Sequence, residues 1–199
     1  TPDNVDVAGT NVKGLASFDT DGFTVGGMAS VGTTDDYEAW NCLTGTTAVP
    51  SGGDITPSAV SLNAASGFGV YAYTGSSVVG DTIAHGLGAI PKMICIKSTT
   101  YAYNWQVYHV SMGNTGHMVL NDTSAFAIDN SRWDDTTPTS TVWTMGSGAT
   151  VNSSSYNFVA YVWAEVQGYS KFGSYVGNGN VDGPYIYTGF KPAFVIIKS

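Results

Sequence analysis

Two strings of this 199-residue chain repeat each other, and that repetition constrains the fold more than any other feature. Residues 67–98 read GFGVYAYTGSSVVGDTIAHGLGAIPKMICIKS, and residues 168–199 read GYSKFGSYVGNGNVDGPYIYTGFKPAFVIIKS. Each opens on Gly-aromatic and reaches a Tyr-x-Gly, Tyr73 to Gly75 and Tyr175 to Gly177. Each then passes a Gly-apolar pair, Gly86-Leu87 and Gly189-Phe190, and closes on Pro, an apolar run and Lys-Ser. A second match precedes the first: Phe23-Thr24-Val25-Gly26 with Tyr37 and Ala39-Trp40 resembles Trp143-Thr144-Met145-Gly146 with Tyr156 and Ala160-Tyr161. Two matches in the same order point to duplication of a unit of about 100 residues, an ordinary size for a β-sandwich module.

The predicted organisation is therefore a partial first repeat with linker over 1–66, a complete central repeat over 67–167, and the start of another over 168–199. The chain opens Thr1-Pro2-Asp3-Asn4 without an initiator Met and stops directly after the apolar run 193–197. We read it as a piece cut from a tandem array. The alternative is that 1–66 and 168–199 close one domain around the central unit.

Composition decides what the unit is made of. Glutamate occurs only at Glu38 and Glu165, arginine only at Arg132, and leucine at positions 15, 43, 62, 87 and 120, while glycine occurs 25 times. With good helix formers so scarce and Val, Thr, Tyr and Gly abundant, a bundle, a doubly wound α/β fold and a coiled coil are excluded. Phe158, Ala160 and Val162 alternate with Asn157, Val159, Tyr161 and Trp163, predicting a strand buried on one face and aromatic on the other. Met93–Ile96 and Phe194–Ile197 read as core strands entered from Pro91 and Pro192. Further strands are expected at 105–110 and 118–120, with turns at 21–22, 113–116, 177–180 and 182–183. The expected fold is all-β, an antiparallel β-sandwich of the jelly-roll or concanavalin-like kind, repeated.

Charge and apolar runs narrow the partners. Fifteen acidic against seven basic residues give a net charge of −8 with no Lys/Arg cluster, so nucleic acid is not an expected partner. No apolar run approaches the ~20 residues that span a bilayer, so membrane insertion is not expected either. Cys42 and Cys95 read as small buried hydrophobes, although one disulfide between them stays open.

Catalytic patterns are missing. There is no Gly-x-Ser-x-Gly, no His-Glu-x-x-His, no phosphate loop and no dinucleotide fingerprint. Neither glutamate has a second acid at the alternating spacing that a glycosidase pair requires. The chain is expected not to be an enzyme, and no catalytic, cofactor or metal residues are assigned. His85, His109 and His117 are scattered, and His85 reads as a strand-end residue capping a glycine turn. Asp134-Asp135 offers oxygen ligands to a cation, yet adjacent carboxylates also suit a solvated turn.

Aromatic residues are the best binding candidates. Trp133, with Arg132, Asp134, Asp135 and Asn130 around it, combines a ring for sugar stacking with groups for sugar hydroxyls. Tyr101, Tyr103 and Trp105 form a second cluster. The competing reading places Trp133, like Trp143 and Trp163, in the core or on a sheet face.

The strings WDDTTPTSTVWTMGS (133–147), YNFVAYVWAEVQGYSKFGSYVGNGNVDGPYIYTGFKPAFVIIK (156–198) and HGLGAIPKMICIK (85–97), with NWQVYH (104–109), carry a resemblance. They resemble a tandemly repeated domain of no assigned activity in virion proteins of tailed bacteriophages, especially marine ones. That resemblance implies a tail fibre or capsid decoration, exposed on the virion outside the cell, without a cofactor. It also implies other virion structural proteins as partners, a homo-oligomer, and a role in attachment to a host-surface glycan. The alternative reading is a secreted carbohydrate-binding module of a bacterial surface protein.

Overall fold

The alternation read at 157–164 is the organising feature of the molecule. The computed structural model describes residues 15–18, 23–25 and 45–199. Contacts divide the chain into a unit containing Ala8–Leu43 and a unit containing Thr44–Ser199. In the first, strands β1 (Leu15–Phe18) and β2 (Phe23–Val25) pair antiparallel. The Asp21-Gly22 turn, Glu38, Trp40 and Cys42 lie outside the described residues.

The second unit is built on a seven-stranded antiparallel sheet. Its strands are β3 (Ala59–Asn63), β4 (Phe68–Thr74), β6 (Pro91–Ser98), β7 (Gln106–His109), β8 (Gly113–Val119), β9 (Ala127–Ile128) and β11 (Asn157–Ala164). Their order across the sheet is β3-β4-β11-β6-β7-β8-β9. The last strand in sequence therefore lies between β4 and β6. It pairs with β4 from Asn157↔Thr74 to Trp163↔Phe68, and with β6 from Phe158↔Ser98 to Ala164↔Pro91. A smaller sheet, β5 (Thr82–Ala84) with β10 (Val142–Thr144), and the one-turn helix α1 (Ala149–Asn152) complete the unit.

Side-chain parity decides the core. Val60, Leu62, Tyr71, Tyr73, Ile94, Ile96, Tyr108, Phe158, Ala160 and Val162 project from one face of the large sheet. They join Ile83, Trp133, Trp143, Met145 and Val151 in a single cluster, with Trp143 and Ile83 fully buried. Tyr71 meets Trp143 edge-on at 5.3 Å between ring centres, and Tyr73 stacks on Phe158 at 5.2 Å. The predicted antiparallel all-β class is thus observed, with strand at 33% and helix at 3% among the described residues.

Three local expectations are corrected. Gly113–Gly116 is not a turn: Met112 closes the turn by donating to the His109 carbonyl at 2.9 Å, and Gly113, at φ +80°, starts β8. Ala59–Asn63, assigned to the linker, is a strand, because it finds β4 as its neighbour. Phe194–Ile197, predicted as a core strand, is irregular and exposed.

Candidate functional site

The segment 129–136 holds five of the residues singled out from sequence, Asn130, Arg132, Trp133, Asp134 and Asp135, and folds them as a structural clamp. Arg132 Nε donates to Gln106 Oε1 at 2.9 Å, and its Nη1 donates to Ser131 Oγ and lies 3.2 Å from Asp129 Oδ2. Gln106 is itself 2% exposed, so the guanidinium ties this segment to the inner side of β7. Trp133 is 2% exposed, its ring edge-on to Tyr108 at 5.9 Å. It belongs to the core and presents no surface to a ligand. Its Nε1 has no hydrogen-bond partner.

Asp134 and Asp135 adopt positive φ, 50° and 47°, which short polar side chains tolerate. Asp134 N–H donates to the Asn130 carbonyl at 2.8 Å, and the Asp135 carbonyl accepts from Asn114 Nδ2. These carboxylates sit on a turn. Among the described residues, no group of three or more His, Cys, Asp or Glu is placed to hold a metal ion.

The histidines serve turns as well. His85 is fully buried; its Nδ1 accepts the Leu87 N–H at 3.1 Å, and its Nε2 lies 3.2 Å from the Thr139 carbonyl. The pair of contacts selects the Nε2–H tautomer of a neutral ring. Burial pushes its pKa below the usual value, opposed by the Thr139 contact. His109 repeats the device, accepting the Ser111 N–H at 3.2 Å. Cys95 is a free, buried thiol that burial pushes up to about 12. Glu165 accepts from the Phe172 N–H at 3.2 Å and pairs with Lys171 at 3.2 Å.

The arrangement with binding geometry lies on the other face of the large sheet. Trp105, at the entry to β7, packs its ring 5.9 Å from Tyr161 on β11. Tyr161 stacks at 6.2 Å and 18° on Trp163, which lies 5.2 Å from Phe68 on β4. Trp163 and Phe68 are directly opposed in the ladder, so register alone brings the end of the row together. Nearby, Tyr101, half exposed, packs 4.7 Å from Tyr103 and 5.4 Å from Tyr156. Buried Lys97 donates to the Tyr103 carbonyl at 2.5 Å beneath this group.

Sequence reading found Trp105, Tyr101 and Tyr103 but grouped them together. The structure separates them, joining Trp105 to Tyr161 and Trp163, and the two tyrosines to Tyr156. Trp105, Tyr161 and Trp163 are half-buried, with Tyr161 and Trp163 near-parallel and Trp105 tilted by 32° to Tyr161, a row of aromatic surface of the kind that takes the apolar face of a ligand.

The family model that matches this chain covers residues 2–199 and is described as a domain of unknown function. No curated protein and no solved structure matches the chain. Among the described residues no helix is long and apolar enough to cross a membrane.

Proposed function

The chain belongs to that family, DUF7483, and from this premise we propose a structural, non-catalytic module of a virion surface protein, a tail fibre or capsid decoration. One observation carries the reading: polar side chains with the chemistry for catalysis are spent on holding turns and loops. His85 and His109 accept backbone N–H groups two residues on, and Arg132 clamps Gln106. Asp54 Oδ2 accepts from the Thr82 N–H at 3.0 Å and hydroxyl at 2.7 Å. Internal satisfaction of this kind suits a rigid scaffold. The other virion proteins, the homo-oligomer and the extracellular setting follow from the bacteriophage resemblance. An antibody raised against the module should decorate intact particles in electron micrographs. Failure to label intact particles, with normal recognition of the purified chain, would sink the proposal.

A second reading, host-glycan attachment, is favoured by the row Trp105–Tyr161–Trp163. Retention on host polysaccharide should fall at least about tenfold in Trp105→Ala with the fold retained, given ~1.4 kcal/mol for each decade of affinity. Trp133→Ala cannot test glycan binding, because Trp133 is a core residue.

A further inference from the structure

The dipeptide Asn-Gly occurs once in the 199 residues, at Asn178-Gly179. Every residue from 173 to 187 is exposed, Val181 to 99%. Asn178 sits in an Asx turn: its Oδ1 accepts the Asn180 N–H at 3.1 Å, and its Nδ2 donates to the Asp182 carbonyl at 2.8 Å. The first of these bonds closes a ring of atoms that contains both Asn178 Cγ and Gly179 N. The donor on Oδ1 also draws electron density away from Cγ. Gly179 has φ +68°, and a Cβ built there would meet nothing within 4 Å. The turn therefore holds a polarised amide carbon beside a backbone nitrogen whose own residue has no Cβ to crowd it.

The other described asparagines lack that combination. Asn180 shares the exposed loop but precedes the β-branched Val181. Asn152 is fully buried, its carboxamide bonded to Ser76, Val78 and Gly146, and it precedes Ser153.

We propose that Asn178 is a modification site that converts without an enzyme to aspartate and isoaspartate, with water as co-reactant. Gly179 N gives its proton to solvent base and attacks Asn178 Cγ. The new C–N bond forms, the Cγ–Nδ2 bond breaks, and Nδ2 takes up a proton and leaves as ammonia. Water then adds to one of the two carbonyls of the resulting cyclic imide. Opening at Cγ leaves aspartate; opening at the main-chain carbonyl leaves isoaspartate, with the chain running through Cγ. One amide and one water become one acid and one ammonia, with no change of oxidation state.

The product alters the loop in one direction. The side chain at 178 no longer donates to the Asp182 carbonyl, and a carboxylate stands where the donor stood. One negative charge is added to a chain already at −8. The clasp between Asn178 and Asp182 opens once and does not reclose. The inference goes beyond the virion reading and does not require it.

The test incubates the full chain at mildly alkaline pH, maps its peptides by mass spectrometry and follows ion-exchange retention in parallel. Asn178 should convert at least about tenfold faster than Asn180, a barrier difference of ~1.4 kcal/mol, and give isoaspartate together with aspartate. Gly179→Ala should slow conversion at least about tenfold, since its Cβ crowds the attacking nitrogen. Asn178→Gln should suppress the shift to a more acidic chain, and Asn180→Gln should leave it unchanged. Equal rates at Asn178 and Asn180, aspartate without isoaspartate, or an acidic shift that persists in Asn178→Gln would overturn the proposal.

Discussion

Asn152 and Ser76 are joined through one carboxamide that is saturated. Asn152 Oδ1 accepts both the Ser76 N–H at 2.9 Å and its hydroxyl at 3.3 Å. Its Nδ2 donates to the carbonyls of Val78 at 2.9 Å and Gly146 at 3.0 Å. Asn152 is fully buried, so these four bonds fasten α1 to the loops after β4 and β10.

Asn152→Ala strands those partners away from water and should cost about 2–4 kcal/mol, above the loss of a single neutral bond. Asn152→Asp should cost at least as much, because both donating bonds go and a buried carboxylate is added. Urea unfolding at neutral pH measures both. Gly75→Ala should join them, since a Cβ there would collide with the Asn152 and Ser153 backbone. We expect about 1–3 kcal/mol for that overpacking.

Acid should destabilise the module in two separable windows. His85, His109 and His117 all have pKa values lowered by burial, so their neutral forms belong to the folded state. Their stability is fully present above the unfolded value near 6.5. It is lost as pH falls from there through the lower folded values. Asp54, Asp122 and Asp129 are lowered instead by hydrogen bonds, from Thr82, Ser124 and Ser131 respectively. Their contribution is lost only at more acid pH, below about 4. Melting temperature recorded from pH 8 to 3 should fall in both windows. His85→Gln should make the fall in the upper window shallower, leaving the share of His109 and His117, and an unchanged slope there would contradict a neutral His85 in the folded state.

The two buried indoles should respond differently to the same change. Trp143 Nε1 donates to Met145 Sδ at 3.1 Å, whereas Trp133 Nε1 has no partner. Trp143→Phe loses area and a bond and should cost about 2–3 kcal/mol. Trp133→Phe removes an unsatisfied donor, which offsets part of the lost area, and should stay within about 1 kcal/mol of the parent. Chemical denaturation compares the two directly.

Much of the fold was legible because it was local. The alternation over 157–164 exposes one face and buries the other, and β11 follows it residue by residue. The strand at 91–98 was legible from Pro91 and its apolar run. β3, β5 and β10 were not: each is only 3 to 5 residues long, and β5 and β10 are defined by each other across a long stretch of chain. The site was harder for the same reason. Register across β4, β11 and the entry to β7 assembles Phe68, Trp163, Tyr161 and Trp105, and no spacing in one segment encodes it. Trp133 misled in the other direction: its acidic neighbours belong to the turn, while its own ring turns into the core.

Residues 193–197 are the instructive exception. They share the leading proline and apolar run of β6 and yet lie in no strand, so the pattern alone does not make one.

Native-state amide hydrogen exchange on the full chain probes that difference between two like sequences. Protection in β4, β6 and β11 should approach the global unfolding free energy, with 193–198 exchanging at least about tenfold faster than 92–97. Protection at 193–198 equal to that of 92–97 would contradict it.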